Sequence, residues 1–254
     1  MMTLFRKIRS FCKAEFVTNW TLFDYLWLSF CAVGIFLISI ALKDTLTGII
    51  AALTATFYTI FAGKGKISCY LFGIINTILY GYISYETKLY GEVMLNWLWY
   101  LPMMFTGMFF WKRNMNKSTE TVYKSFLSIK ERAITALLTL AGIAVYAFIL
   151  HKMGDRSPVL DSTTTILSVT AMILTVKRCI EQWFIWTVVN VISIWMWLLV
   201  YLNEGSSVAI LLMWVMALAN GIIFFIQWKK DLARQEQKEA EENAYAGKSN
   251  SHPC

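Results

Sequence analysis

Long apolar runs separated by short polar connections dominate this chain of 254 residues. A helix needs about 20 mostly apolar residues to cross the hydrocarbon core of a bilayer, and windows of that length predict eight spans. The predicted spans are 22–42, 46–63, 67–85, 91–111, 132–151, 160–176, 181–202 and 206–228. We therefore expect an all-α integral membrane protein with eight transmembrane helices.

The chain also matches itself weakly when it is shifted by 114 residues. The pairs that carry weight are polar residues and glycines: Lys64 with Arg178, Asn76 with Asn190, and Gly107 with Gly221. Spans two to four and six to eight would each form one repeat, and the fifth span would let both repeats enter the membrane in the same direction. This plan, an extra N-terminal helix plus 3+1+3 parallel three-helix repeats, is typical of transporters that bind substrate between their repeats.

The repeats divide the chain into five predicted segments. These are a basic leader with the extra helix (1–43), the first repeat (44–111), a basic connection with the linker helix (112–159), the second repeat (160–228) and a charged tail (229–254). The connection 112–131 has apolar residues at near-helical spacing, which fits either a helix on the membrane surface or a solvated linker. After Trp228 we expect a short frayed helix followed by disorder.

Composition and charge support this topology. The chain is 57% hydrophobic and only 15% charged, so it has too few polar side chains to cover soluble domains. Only four of its 23 Lys and Arg residues lie in the connections on one side of the membrane. They are Lys43, Lys88, Lys152 and Arg156. The positive-inside rule therefore predicts that both termini are cytoplasmic. The net charge of +7 reflects this topology and does not indicate binding to nucleic acid.

One face of the seventh span is aromatic and polar within an otherwise apolar run. Trp183, Trp186 and Asn190 lie three and seven residues apart, which puts them on one side of an α-helix. Packing is the alternative, because an intramembrane Asn can bond a neighbouring helix and tryptophans collect at membrane boundaries. We interpret the other boundary tryptophans as such belt residues: Trp20, Trp27, Trp111 and Trp228.

Groups needed for catalysis or ion coupling are missing from the predicted spans. Carboxylates such as Asp24, Glu92 and Asp161 fall at or near span ends, and the only histidines are His151 and His252. The chain has no phosphate-binding loop, no zinc motif and no Ser or Cys with a His partner. We therefore predict no enzyme activity, no metal and no cofactor, and no buried carboxylate or His for a proton relay. A membrane enzyme or a scaffold remains an alternative.

The Trp183-x-x-Trp186-x-x-x-Asn190 pattern, the preceding Gln182, the basic turn before it and the 3+1+3 plan resemble the PnuC vitamin transporters, specifically the nicotinamide riboside members. The resemblance covers about residues 44–228, and its architecture is shared with the SWEET carriers. It implies a uniporter in a bacterial inner membrane, a homotrimer, and uptake driven by cytoplasmic phosphorylation of nicotinamide riboside. Riboflavin and thiamine remain alternative substrates, because they too carry flat rings.

The resemblance also implies site residues. Trp183 and Trp186 would border the nicotinamide ring, while Asn190 and, by repeat symmetry, Asn76 would serve its amide or the ribose hydroxyls. Gln182 belongs to the matched motif, and position suggests three further substrate-binding residues: Asn96, Tyr80 and Asn220. A cationic nicotinamide ring over an indole face is independently favourable. We expect a half-symmetric chamber whose aromatic wall comes from the second repeat alone.

Overall fold

The structure, a computed structural model, describes residues 2–116, 119–154, 158–204 and 208–249. Almost all of these residues are helical, which confirms the all-α prediction. The helices are α1 (Met2–Phe16), α2 (Leu22–Ala41), α3 (Leu46–Gly63), α4 (Cys69–Glu86), α5 (Tyr90–Met94) with its π-helical continuation (Leu95–Tyr100), α6 (Leu101–Arg113), α7 (Ile129–Lys152), α8 (Pro158–Val176), α9 (Glu181–Glu204) and α10 (Val208–Ser249). A hairpin pairs β1 (Met115–Asn116) with antiparallel β2 (Thr121–Val122).

Seven helices within the described ranges are long and apolar enough to cross a membrane. They are α2, α3, the continuous α5–α6 segment, α7, α8, α9 and the first part of α10. The remaining long helix, α4, has 18 residues but is more polar, since it carries Asn76 and several tyrosines. We call α3 to α6 the first unit and α8 to α10 the second unit.

Polar caps set the beginnings of two helices. Thr21 and Asp24 form a capping box at α2, and Ser128 and Glu131 form another at α7. In α7, the Ser128 N–H donates to Glu131 Oε2 at 2.8 Å, while the Glu131 N–H donates to Ser128 Oγ at 3.3 Å. Such reciprocal bonds satisfy backbone donors that the helix itself leaves free. The linker helix therefore begins at Ile129, a turn before the predicted span.

The tail departs from the sequence prediction. Instead of a short frayed helix after Trp228, α10 continues without a break to Ser249. The Lys, Glu and Ala residues that follow Trp228 are strong helix formers. The extension is also held from the side, because Gln235 accepts from the Lys124 N–H at 3.1 Å and donates to the Lys124 carbonyl at 3.0 Å. Residues 250–254, where disorder is predicted, lie outside the described residues.

The connection between α6 and α7 is neither a surface helix nor a solvated linker. After the hairpin it crosses the end of the bundle where α1 and the tail lie, which we call the terminal end. The Val122 N–H donates to the Gly65 carbonyl at 2.9 Å, and Ser125 exchanges backbone bonds with Arg178 at 3.0 Å and Ile180 at 2.9 Å. The connection thus ties the α3–α4 turn of the first unit to the α8–α9 turn of the second.

Two of the predicted belt tryptophans are core residues. Trp111 and Trp228 are fully buried, and each indole donates to a backbone carbonyl of the opposite unit. Trp111 Nε1 bonds Thr175 at 3.0 Å, and Trp228 Nε1 bonds Gly63 at 2.7 Å. The prediction that these two tryptophans lie in the aromatic belt at the membrane boundary is wrong. Their position in the sequence does not reveal the carbonyl partners, which belong to helices far away in sequence. The two bonds close the terminal end between the units.

The terminal end also buries charge, at acidic residues that lie at the start of the first predicted span or before it. Asp24 is 6% exposed and Lys64 is 5% exposed, and their charged atoms lie 2.7 Å apart. Glu15 is buried as well and accepts from the Ser68 N–H at 3.0 Å and the Ser68 hydroxyl at 2.5 Å. Burial lowers the pKa of the nearby Lys66 ammonium. These contacts fasten α1 and α2 to the α3–α4 turn.

Removing one partner of the Asp24–Lys64 pair should destabilise the protein strongly. Lys64→Met leaves the Asp24 carboxylate buried without its cation, a change that costs about 3–5 kcal/mol in comparable pairs. We expect a lower thermal unfolding midpoint in detergent for Lys64→Met and recovery of most of the loss in the double variant Asp24→Asn/Lys64→Met. The exposed Lys230→Met is the control. A double variant no more stable than Lys64→Met would contradict the pairing argument.

Candidate substrate-binding chamber

A chamber lies in the middle of the bundle, between helices of the first and second units. Its wall is mostly apolar, with amides, hydroxyls and aromatic rings at intervals. The structure brings together seven of the eight residues that the sequence predicted: Asn76, Tyr80, Asn96, Gln182, Trp183, Trp186 and Asn190. Both units contribute to this set, so residues more than a hundred positions apart meet in one cavity.

The eighth predicted residue, Asn220, does not line the chamber. It is fully buried, donates to Thr59 Oγ1 at 2.8 Å, and accepts from Trp27 Nε1 at 2.7 Å. Both amide atoms are thus engaged in bonds between α10 and its neighbours α3 and α2. The prediction that Asn220 binds substrate conflicts with this geometry, and the residue fits the packing alternative instead.

The first two tryptophans of α9, Trp183 and Trp186, form the part of the wall nearest the terminal end. Trp186 Nε1 donates to Thr175 Oγ1 at 3.0 Å, and its ring centroid lies 6.1 Å from that of Tyr100. Trp183 packs against Phe224 and Trp228, with centroids 5.8 Å and 5.6 Å away. These contacts fix both indoles in place, so the parts of their rings that line the chamber are preorganised for a flat ligand.

Several donors in this wall have no protein partner. Among the described residues, none accepts a hydrogen bond from buried Gln182 Nε2 or buried Trp183 Nε1. Asn190 is only 4% exposed, and its amide also makes no hydrogen bond within the described part of the chain. A buried donor without a partner costs about 1–3 kcal/mol. A bound ligand with carbonyl or hydroxyl oxygens would relieve that cost.

The first unit presents polar groups that are already oriented by the protein. Asn76 Nδ2 donates to the Ala51 carbonyl at 2.9 Å, and the Tyr80 hydroxyl accepts from Trp197 Nε1 at 2.8 Å. Asn96 Nδ2 donates to the Glu92 carbonyl at 2.8 Å. Each bond uses one atom of the group and holds the side chain in a single orientation against the chamber.

Asn96 lies in the π-helical segment between α5 and α6. Pro102 lies two residues after this segment, and its missing N–H cannot bond the carbonyl four residues earlier in an α-helix. π-Helical turns of this kind are frequent at functional sites. The insertion turns the Asn96 amide and the Tyr100 ring into the cavity, where both are lining residues.

Sequence reasoning missed several residues of the wall, among them two tyrosines and a carboxylate. Tyr58 and Tyr100 line the chamber from the first unit, so the prediction that the aromatic wall comes from the second unit alone is wrong. Tyr100 follows Asn96 by four residues, a spacing that places both on one helical face. Tyr58 has no comparable signal in its apolar run. Glu92, predicted only at a span end, also lines the chamber.

The chamber offers no recognisable metal centre. Over the residues that the structure describes, no three His, Cys, Asp or Glu side chains are grouped closely enough to hold an ion. Its polar groups are mainly amides and hydroxyls, which donate to and accept from neutral oxygen and nitrogen groups. Such a wall is suited to reversible binding of a small aromatic molecule with hydroxyl or amide substituents.

Comparison with known proteins covers almost the whole bundle. A family model described as Nicotinamide mononucleotide transporter matches residues 45–230. The nicotinamide riboside transporter PnuC of Neisseria mucosa is 37% identical over 227 residues, which are 87% of this chain and 86% of that protein. The nicotinamide riboside transporter PnuC of Haemophilus influenzae is 31% identical over 224 residues, 87% of this chain and 96% of that protein.

A solved structure is similar as well. The crystal structure of the Vitamin B3 transporter PnuC superposes with a TM-score of 0.81 at 36% identity. The alignment covers 89% of this chain and 98% of that one. The range matched by the family model includes the first unit, the second unit as far as residue 230 in α10, and the chamber between them, whereas α1 and α2 precede it.

Proposed function

Because this chain belongs to the family of PnuC nicotinamide riboside transporters, we propose that it carries nicotinamide riboside across a bacterial inner membrane by facilitated diffusion. It is a multi-pass membrane transporter and not an enzyme. The observation that carries the proposal is the chamber itself, in which two fixed indoles lie beside polar side chains, and in which Gln182 Nε2 and Trp183 Nε1 have no partner among the described residues.

The chemistry of nicotinamide riboside matches this wall. Its ring is flat and cationic, and an indole face within about 6 Å of a cation contributes about 2 kcal/mol when both are desolvated. Its carboxamide oxygen can accept from Gln182 Nε2 or Trp183 Nε1, which otherwise stay unpaired. We propose that Trp183 and Trp186 border the ring, and that Asn190, Asn76 and Asn96 serve the carboxamide or the ribose hydroxyls, with Tyr80 beside them.

Facilitated diffusion is supported by the composition of the chamber wall. Glu92 is the single carboxylate or His among the described lining residues, so the wall offers no chain of titratable groups along which a proton could pass. Movement down the concentration gradient needs no such chain. We propose that cytoplasmic phosphorylation then removes the free riboside and drives net uptake.

The finer architecture belongs to the same proposal. We propose eight spans in which α4 is the third, with the extra helix (1–43), the first repeat (44–111), the linker segment (112–159), the second repeat (160–228) and the tail (229–254) in sequence. The charge distribution supports cytoplasmic termini. A homotrimer rests on the family resemblance, and α7, which has no buried residue in one copy, leaves an apolar surface available to lipid or another copy.

Uptake of labelled nicotinamide riboside into proteoliposomes without any ion gradient tests this function. We expect saturable uptake that stops when internal and external concentrations are equal, and continued accumulation when a riboside kinase and ATP are enclosed. Protein-free liposomes are the control. Absence of saturable uptake would reject the proposed substrate. Uptake that requires an imposed proton or sodium gradient would keep the substrate and reject facilitated diffusion.

A further inference from the structure

Glu92 introduces a carboxylate into a wall that is otherwise uncharged. It lies in the first turn of α5, one turn before Asn96, at the end of the chamber remote from the terminal end. The Asn96 amide donates to the backbone carbonyl of Glu92 and does not engage the Glu92 side chain. Within the described ranges, the Glu92 carboxylate forms no ion pair and receives no hydrogen bond.

A second acidic residue lies near this end of the bundle. Asp161 lies in the first turn of α8. Asp161 belongs to the second unit and Glu92 to the first, so the two helices carry their acidic residues to the same end of the chamber.

The chamber also surrounds Glu92 with uncharged partners. Tyr80, Asn96 and Tyr100 line the chamber together with it, and the Asn96 amide can either donate or accept. The wall can therefore bind many neutral hydroxyl or amide groups, but the described lining residues supply the negative charge at one position only. Discrimination by ligand charge should depend on that position.

Resting on the proposed function, we infer that Glu92 selects the cationic riboside by its charge, which acts across the chamber on a ring that Trp183 and Trp186 border at the opposite end. A pyridinium riboside gains attraction from the carboxylate in the low-dielectric chamber. The reduced riboside has nearly the same shape but an uncharged dihydropyridine ring, so it gains none. Analogues that add a phosphate or a carboxylate to the molecule bring a negative charge towards Glu92 and are disfavoured.

Calorimetric titration of the purified full-length protein with nicotinamide riboside and with reduced nicotinamide riboside tests the inference. We expect Glu92→Gln to weaken binding of nicotinamide riboside by about tenfold or more and to leave binding of reduced nicotinamide riboside nearly unchanged. Glu86→Gln is the matched control, because Glu86 is exposed, bonds the Tyr82 hydroxyl at 2.7 Å and does not line the chamber. It should change neither affinity.

Other outcomes separate this inference from the proposed function. Equal loss of both ligands in Glu92→Gln, or no loss of either, overturns charge selection by Glu92 while the substrate assignment stands. If Glu92→Gln does not fold, titration of the wild-type protein still tests the inference. Equal affinity of the wild-type protein for the cationic and the reduced riboside overturns it. A wild-type protein that binds neither riboside contradicts the proposed function itself.

Discussion

Trp186→Ala should weaken nicotinamide riboside binding by about 2–3 kcal/mol, which is a 30- to 150-fold rise in Kd. The substitution removes an indole face from the chamber, and with it both the attraction to a cationic ring and the contact area of a large side chain. The bond to Thr175 Oγ1 and the contact with Tyr100 hold this ring in one position in the free protein. Little of its binding energy is therefore used to order the side chain.

Two matched variants isolate the role of the ring. Trp186→Phe keeps an aromatic face but loses the Nε1 donor and should have intermediate affinity. Trp195→Ala truncates another tryptophan of α9 that is 58% exposed and lies outside the chamber, so it should bind normally. Normal affinity in Trp186→Ala together with a lower unfolding midpoint would instead assign this residue to packing.

Asn190→Ala and Asn220→Ala should have opposite effects, although both remove a buried amide from the second unit. Asn190 has no hydrogen-bond partner within the described residues, so its removal leaves no protein group unpaired. We expect a loss of about 1–3 kcal/mol in binding of nicotinamide riboside and little change in stability. Calorimetric titration and thermal unfolding of the same preparation give both quantities.

Asn220→Ala should instead lower stability and leave affinity nearly unchanged. The variant strips Trp27 Nε1 of its acceptor and Thr59 Oγ1 of its donor inside the bundle. Each group left unpaired in a poorly solvated position costs about 1–3 kcal/mol. If Asn220→Ala loses affinity without losing stability, Asn220 belongs to the chamber wall and binds substrate, as the sequence predicted.

The face of α9 was predictable because helix geometry alone fixes it. Positions three and seven after Trp183 lie on the same side in any α-helix, and the structure puts all three residues in the chamber wall. Asn220 was not predictable in the same way. Its place in α10 follows from periodicity, but its partner Trp27 lies on α2, outside the repeated units, and no spacing within α10 reveals which neighbour an amide will meet.

The same limit explains the other corrections. Trp111 and Trp228 occupy boundary positions in sequence, yet each is buried by a helix of the opposite unit. Glu92 stands near the start of a predicted span, but the chamber extends far enough towards that end to include it. Local pattern predicts which residues share a helical face, whereas contacts between distant helices decide whether that face meets lipid, protein or a cavity.

Calorimetric titration of the purified protein with nicotinamide riboside, riboflavin and thiamine tests the central claim most directly, since all three ligands carry flat rings. Trp186→Ala, titrated in parallel, links any binding to the chamber. We predict saturable binding of one nicotinamide riboside per chain, strongly weakened in Trp186→Ala, and no detectable binding of riboflavin or thiamine. Saturable binding of riboflavin or thiamine with none of nicotinamide riboside would contradict the account.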